Sequence, residues 1–282
     1  MKLAIVTDST CDLRAEQIER LGISTVPLYV NFKGKMHRDW VDITPRDIVE
    51  GVKSGADLPT TSQPSPKDFE EAYEAAAGAG AEQILVITIS SEFSGTFNSA
   101  SLAKEASPVP VTAYDSRAAS MGIGNLVQIA AEMRDEGAEL DAIVAELDRV
   151  RATLLVLFSV DTLDFLLKGG RVSKASALLG GLLNIKPILT VTDGKIVPFG
   201  KVRGTKKAIA ELVTQFKSHA ERHDGTMVVD FLHCQDPEAA ERLKAAMASA
   251  GVRFTSGHTY EIGAVIAAHV GPGTFGAYAH VR

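Results

Sequence analysis

Ile84–Ala100, ILVITISSEFSGTFNSA, is the stretch whose reading decides the fold class. Ile84 to Ile89 is an apolar, mostly β-branched run of the kind that forms a strand buried on both faces. It stops at Ser90, Ser91, Ser94, Gly95 and Thr96, after which a helical pattern resumes. The order strand, hydroxyl-rich loop, helix start is that of a parallel α/β sheet. Ser94 or Thr96 can cap the helix, and Gly95 lets backbone N–H groups come close to a ligand; the positive end of the helix dipole then favours a carboxylate or phosphate. A capped turn with no ligand uses the same residues, so both readings stand at this point.

At 282 residues the chain exceeds a typical single domain, and 45% hydrophobic residues suffice for a sizeable core, so two packed domains are expected. The change of character near Ala152 places them at residues 1–150 and 151–282. A net charge of −6 argues against a general nucleic-acid binder. Two cysteines, Cys11 and Cys234, suggest neither a disulfide framework nor a cysteine-based metal site, which fits a reducing cytoplasm. The apolar run before Asp8 is too short for a signal-peptide core, and no segment approaches the ~20 residues of a membrane span.

Upstream, Leu3 to Thr7 reads as a buried strand running into Asp8, Ser9, Thr10 and Asp12, with Asp12 able to cap the following helix. Ile23 to Phe32 reads as a second strand, with Pro27 favouring an edge or a bulge. Thr44-Pro45 starts a helix, Leu58 to Pro66 reads as an irregular loop, and Ser65-Pro66 opens another helix. Downstream, Val109 to Tyr114 ends in Asp115-Ser116, so three strands deliver hydroxyls or carboxylates at their carboxyl ends, where open parallel sheets form a ligand crevice. Neither G-x-G-x-x-G after the first strand nor G-x-x-x-x-G-K-[ST] occurs.

In the second half, Arg171 follows two glycines, and Ser173 precedes the apolar segment Ala175 to Leu183, which suits a smooth wall or plain core. Asp193-Gly194 between two β-like runs signals a type I′ hairpin. Lys201, Arg203, Lys206 and Lys207 put four cations into seven residues at the head of a helix. His269 ends a small-residue helix before Gly271-Pro272-Gly273, where the helix dipole favours the cationic ring.

Eight motifs in order carry a family resemblance: Asp8-Ser-Thr-Cys-Asp12-Leu13, Thr61-Ser-Gln-Pro64, Ser91-Glu-Phe-Ser94-Gly-Thr96, Asp115-Ser116, Gly169-Gly-Arg171, Lys186-Pro-Ile-Leu189, Lys201-Val-Arg203-Gly204 and His269-Val-Gly-Pro-Gly273. Over essentially its whole length the chain resembles the DegV family. Phe93, Phe97 and Val270 stand where Leu, Tyr and Thr are frequent in that family.

The resemblance implies a two-domain α/β protein: an N-terminal three-layer α/β/α domain with a parallel sheet, a C-terminal α/β domain with a mixed sheet, and a tunnel between them for one long-chain fatty acid such as palmitate or oleate. It implies a carrier and not an enzyme, without cofactor, that presents the acid to the ATP-binding subunit of a separate fatty acid kinase, which makes the acyl-phosphate. Carried over by position, Thr61, Ser94 and Gly95 would hold the carboxylate, Arg171 and His269 would complete the polar end, and Arg203 would serve the partner or phosphotransfer. Ala175 to Leu183 and Ile262 to Ala268 would line the acyl chain. A serine hydrolase or esterase using Ser94 with His269 is the alternative, weakened by the missing G-x-S-x-G elbow. A self-sufficient kinase lacks its nucleotide motifs.

Overall fold

A computed structural model describes residues 2–172, 184–223 and 226–282, which divide into two compact units. The first is Met1–Thr44 with Pro59–Ala152, and the second is Pro45–Leu58 with Thr153–Arg282. In chain order the elements begin β1 (Leu3–Asp8), α1 (Ala15–Leu21), β2 (Ser24–Val26), β3 (Tyr29–Phe32), β4 (Lys35–Arg38), α2 (Pro45–Lys53), β5 (Thr60–Ser62) and α3 (Pro66–Gly78). They continue with β6 (Gln83–Thr88), α4 (Thr96–Leu102), β7 (Val111–Asp115), α5 (Met121–Asp135) and α6 (Leu140–Ala152).

The quoted stretch is β6, its loop and α4, and β6 lies inside a parallel sheet of order β2-β1-β6-β7. On one face Val6, Ile84, Val86 and Val111 pack with Phe69 and Tyr73 of α3 and Ala100 of α4; α5 packs on β1 and β6 with its own buried stripe, which includes Ile123 and Val127. Strands covered on both sides explain the unbroken apolar run at Ile84–Ile87. The Tyr73 hydroxyl donates to Ala100 O at 2.9 Å, so the largest buried ring on that face leaves no unpaired polar atom.

Two expectations change here. Ile23 to Phe32 is not one strand: β2 ends before Pro27 and joins the parallel sheet beside β1, while β3 enters a separate antiparallel sheet of order β4-β3-β5. Proline has no N–H for the ladder, so the chain changes sheets where one bond would be missing in any case. The stretch Leu58 to Pro66 is not wholly irregular either, because Thr60–Ser62 forms β5 and satisfies the backbone edge of β3.

The second unit continues with β8 (Leu155–Ser159), α7 (Asp164–Gly169), β9 (Ile185–Thr192), β10 (Lys195–Arg203), α8 (Thr205–Arg222), β11 (Met227–His233), α9 (Pro237–Ser249), β12 (Thr255–Glu261), α10 (Ala264–Val270) and β13 (Phe275–Val281). Its sheet has the order β10-β9-β8-β13-β11-β12 and is mixed, with β11 and β12 parallel and the other pairs antiparallel. Leu212 and Phe216 of α8 and Leu243 and Met247 of α9 cover one face, against Leu157, Phe231 and Phe275. The β9–β10 turn has positive φ at both Asp193 (49°) and Gly194 (77°), the I′ geometry its sequence signals.

Residues 45–58, expected in the first domain, belong to the second unit. Helix α2 buries Ile48 and Val49, and it packs on α10, whose Ala264, Ala267 and Ala268 allow close helix approach. Strand β13, for which the sequence reading names no element, is a central strand with all seven residues buried. Ser173 and Ala175 to Leu183 lie outside the described residues. Among the described residues no helix is long and apolar enough to cross a membrane.

Candidate functional site

The carboxyl end of the parallel sheet gathers the hydroxyls and carboxylates expected there, and the structure separates their roles. Buried Asp8 accepts from Ile89 N–H at 2.7 Å, from Thr10 N–H at 2.9 Å and from the Thr10 hydroxyl. Burial pushes its carboxyl pKa up, with those hydrogen bonds pulling the other way. Asp115 accepts from Ser91 N–H (3.2 Å) and Ser91 Oγ (2.6 Å) and pairs with Arg117 Nε at 3.0 Å. Asp12 does not cap α1: at φ 54° it accepts from Ser120 Oγ (2.6 Å) and Trp40 Nε1 (3.3 Å), and α1 starts after Arg14. These carboxylates tie loop to loop, so an anionic ligand at this edge would meet hydroxyl and N–H groups instead.

Thr61 is placed by β5, opposite Val30 of β3. That small sheet is held to the parallel one by Ser9, whose hydroxyl donates to Asp39 (2.8 Å) and accepts from Leu28 N–H (3.0 Å). Ser94 stands one residue before Gly95, the residue preceding α4. Its Oγ accepts from Thr96 N–H at 3.3 Å and lies 2.8 Å from Thr96 Oγ1. Either hydroxyl can donate in the second contact; where Thr96 donates, the Ser94 proton is available to a further acceptor.

Gly95 has an ordinary φ of −72°, so its lack of a side chain matters through space and not through conformation. A Cβ there would overlap the side-chain amide of Gln63, which lies over Gly95 and donates from Nε2 to Ser99 Oγ at 3.1 Å. Gln63 thus joins the strand bearing Thr61 to the loop bearing Ser94. Reading residue types one at a time did not single it out, although it stands inside the quoted Thr61-Ser-Gln-Pro64 motif.

In the second unit Gly170, at φ 67°, caps α7, and Arg171 folds back so that Nη1 donates to Gly169 O at 2.5 Å. The His269 ring, in the last turn of α10, lies against the same glycine, where a Cβ on Gly169 would overlap its Nδ1. Glycines Gly271 and Gly273 permit the next turn to pass Phe165 and Asp161. The structure therefore brings Arg171 and His269 together around Gly169. It also reverses the expected charge of His269: burial first and the nearby Arg171 second lower its pKa to about 4, so the ring is neutral at pH 7. The dipole of a seven-residue helix is outweighed by desolvation.

Arg203 ends β10, exposed, with its backbone paired to Ile185. No described carboxylate forms an ion pair with Lys201, Arg203, Lys206 or Lys207. Among the described residues no group of three or more His, Cys, Asp or Glu could hold a metal ion.

Comparison with known proteins now bears on these motifs. A family model described as "Uncharacterised protein, DegV family" matches residues 2–281. A DegV domain-containing protein of Deinococcus radiodurans is 42% identical over 276 residues, covering 98% of this chain and 97% of its own. Two solved structures cover both chains fully: a Thermus thermophilus DegV family protein described by its fatty acid binding (44% identity, TM-score 0.95) and a Bacillus subtilis DegV called a fatty acid binding protein (32%, 0.89). Since the match runs over residues 2–281 and the structural likeness covers the whole chain with all three sheets, this chain belongs to the DegV family.

Proposed function

We propose that the protein binds one long-chain fatty acid in a tunnel between its two units and presents the carboxylate to a separate ATP-dependent fatty acid kinase. The observation that carries the binding reading is the donor set beside Gly95. Ser94 Oγ accepts from Thr96 N–H and shares a second hydrogen bond with Thr96 Oγ1, and the Gly95 N–H has no acceptor among the described residues. Thr61, Arg171 and His269 join them as ligand residues. The description of the Thermus thermophilus relative supports the same chemistry. A buried carboxylate needs several donors, and the alkyl chain needs apolar wall worth roughly 0.8 kcal/mol per buried CH₂.

The kinase step is proposed for Arg203, an exposed guanidinium suited to bidentate contact with a phosphoryl group. A hydrolytic role for Ser94 has less support, because among the described residues its hydroxyl is hydrogen-bonded to Thr96 and to no His, Asp or Glu base. The protein is read as cytoplasmic. Gentle mass spectrometry of the purified protein with analysis of extracted lipid tests the binding reading: one fatty acid per chain is expected, and protein that carries none and takes up neither palmitate nor oleate would refute it.

A further inference from the structure

Two histidines at the tail of α8, His219 and His223, belong neither to the fatty-acid site nor to the eight ordered motifs. They stand four positions apart, the spacing that puts two side chains on one face of a helix. Their ring centroids are 4.5 Å apart and the rings are tilted by 49°. Lys206 and Lys207 open the same helix, and at 1.5 Å per residue His219 lies about 20 Å further along. The pair is therefore remote from Arg203 and from the cations around it.

The surroundings of His219 fix one ring nitrogen and leave the other without a partner. The residue is 7% exposed, in the buried stripe of α8 that includes Leu212 and Phe216. The Thr153 carbonyl, just ahead of β8, accepts a hydrogen bond from the ring. Nε2 is buried with no hydrogen-bond partner among the described residues, so the bonded N–H is that of Nδ1. An Nδ1–H held by a backbone carbonyl puts the lone pair on Nε2, the arrangement that orients a metal-binding imidazole. Burial first and the neighbouring His223 second lower the pKa of His219, which keeps the ring neutral at pH 7. An orphaned nitrogen in a packed core is costly unless something binds it. The helix end itself also lacks a left-handed cap, because His223 closes it in extended backbone at φ −121° and ψ 127°.

We infer that His219 Nε2 and the His223 ring together chelate one divalent cation of the zinc, nickel and copper class, which staples the last turn of α8. Imidazole nitrogen suits these ions, whereas calcium and magnesium require oxygen ligands. Two rings bound at Zn–N distances of about 2.1 Å with a near-tetrahedral angle have centroids about 5 Å apart, so the observed pair needs only a small turn. Among the described residues no third His, Cys, Asp or Glu joins the pair, and the remaining coordination positions fall to water. His223 is half-buried, which gives the ion its route in from solvent. A site with two protein ligands exchanges its ion readily and acts by stabilising the folded second unit in proportion to occupancy. This inference does not rest on the fatty-acid reading.

The test titrates tag-free, full-length protein with zinc chloride and nickel chloride by calorimetry, comparing the parent with His219→Ala, His223→Ala and His37→Ala. One ion per chain is expected in the parent. Each variant of the pair should bind about tenfold more weakly or worse, while His37→Ala, altered in the first unit, should match the parent. Zinc should raise the melting temperature of the parent and leave that of His223→Ala unmoved. Because His219 is buried, His223→Ala decides the matter, with its fold checked by circular dichroism. With copper(II), electron paramagnetic resonance should show splitting from two nitrogens in the parent and from one in His223→Ala, a difference that a purely structural role for His223 would not produce.

A parent protein that binds none of the three ions would overturn the inference. So would His223→Ala that binds as tightly as the parent, or a copper spectrum identical in the two proteins. Binding lost in His37→Ala and kept in His223→Ala would place the metal elsewhere and overturn the assignment to α8.

Discussion

Residue by residue, the proposed head-group site depends on donors and on empty space. Thr61→Ala or Ser94→Ala should each lower fatty-acid affinity by about 1–3 kcal/mol, the range for hydrogen bonds to a charged group; titration with a fluorescent fatty acid checks this, and parent-like binding by both variants would refute it. Gly95→Ala should weaken binding as well, because its methyl would displace the Gln63 amide. Adding Gln63→Ala should recover part of that loss, a coupling of about 1 kcal/mol between neighbours. His269 has a pKa near 4 in the folded chain against about 6.5 unfolded, so the unfolded state takes up the proton first. Its contribution to stability is therefore constant above about pH 6.5 and becomes unfavourable as pH falls toward 4, on the order of 3 kcal/mol in the limit. A carboxylate beside the ring would raise that pKa, so the NMR titration of His269 should move up by about one pH unit or more on loading with fatty acid. An unmoved titration would remove His269 from the ligand contacts. At this scale Ser94 stands out in the sequence as a hydroxyl at a strand-to-helix turn and Thr61 only through the Thr61-Ser-Gln-Pro64 motif, whereas the amide of Gln63 over Gly95 is a contact between residues 32 positions apart. The charge of His269 could not be read from its place on α10, because burial by other elements is the larger effect.

At the level of elements, legibility follows how local the determinant is. The I′ turn at Asp193-Gly194 needs two residues and was plain, as was β6 with its apolar run. Strand β13 was hidden because Phe275 to Val281, FGAYAHV, has alanine and glycine where β-branched residues usually mark a strand. Those small residues suit its position: a Cβ on Gly276 would meet Leu157 O and the Phe158 backbone on neighbouring β8. Backbone cannot move aside as a side chain can, so Gly276→Ala should cost about 1–3 kcal/mol by overpacking. Chemical denaturation checks this, and a stability equal to that of the parent would show that the sheet has slack at its centre. Helix α2 gave a clear start at Thr44-Pro45, yet nothing within it shows that its apolar face belongs against α10, more than two hundred residues later in the chain.

For the molecule as a whole, Arg203→Ala should leave fatty-acid binding near the parent level and strongly reduce acyl-phosphate formation by the cognate kinase, by about tenfold or more if the guanidinium stabilises charge on the transferring phosphoryl group. Loss of lipid from the variant, or an unchanged rate, would refute that role. The sequence by itself determined the α/β class, the parallel sheet around Ile84–Ile87, the I′ hairpin and, through eight ordered motifs, the family. These are settled by periodicity, turn chemistry and residue order, which act between near neighbours or along the chain. Only the tertiary structure decided that residues 45–58 join the second unit, that β13 runs through the centre of the mixed sheet, and that His269 is neutral. It also decided that Asp8, Asp12 and Asp115, at the end of the parallel sheet, brace loops. Strand order, desolvation and hydrogen-bond pairing depend on which distant segments pack together, and no local pattern holds that information.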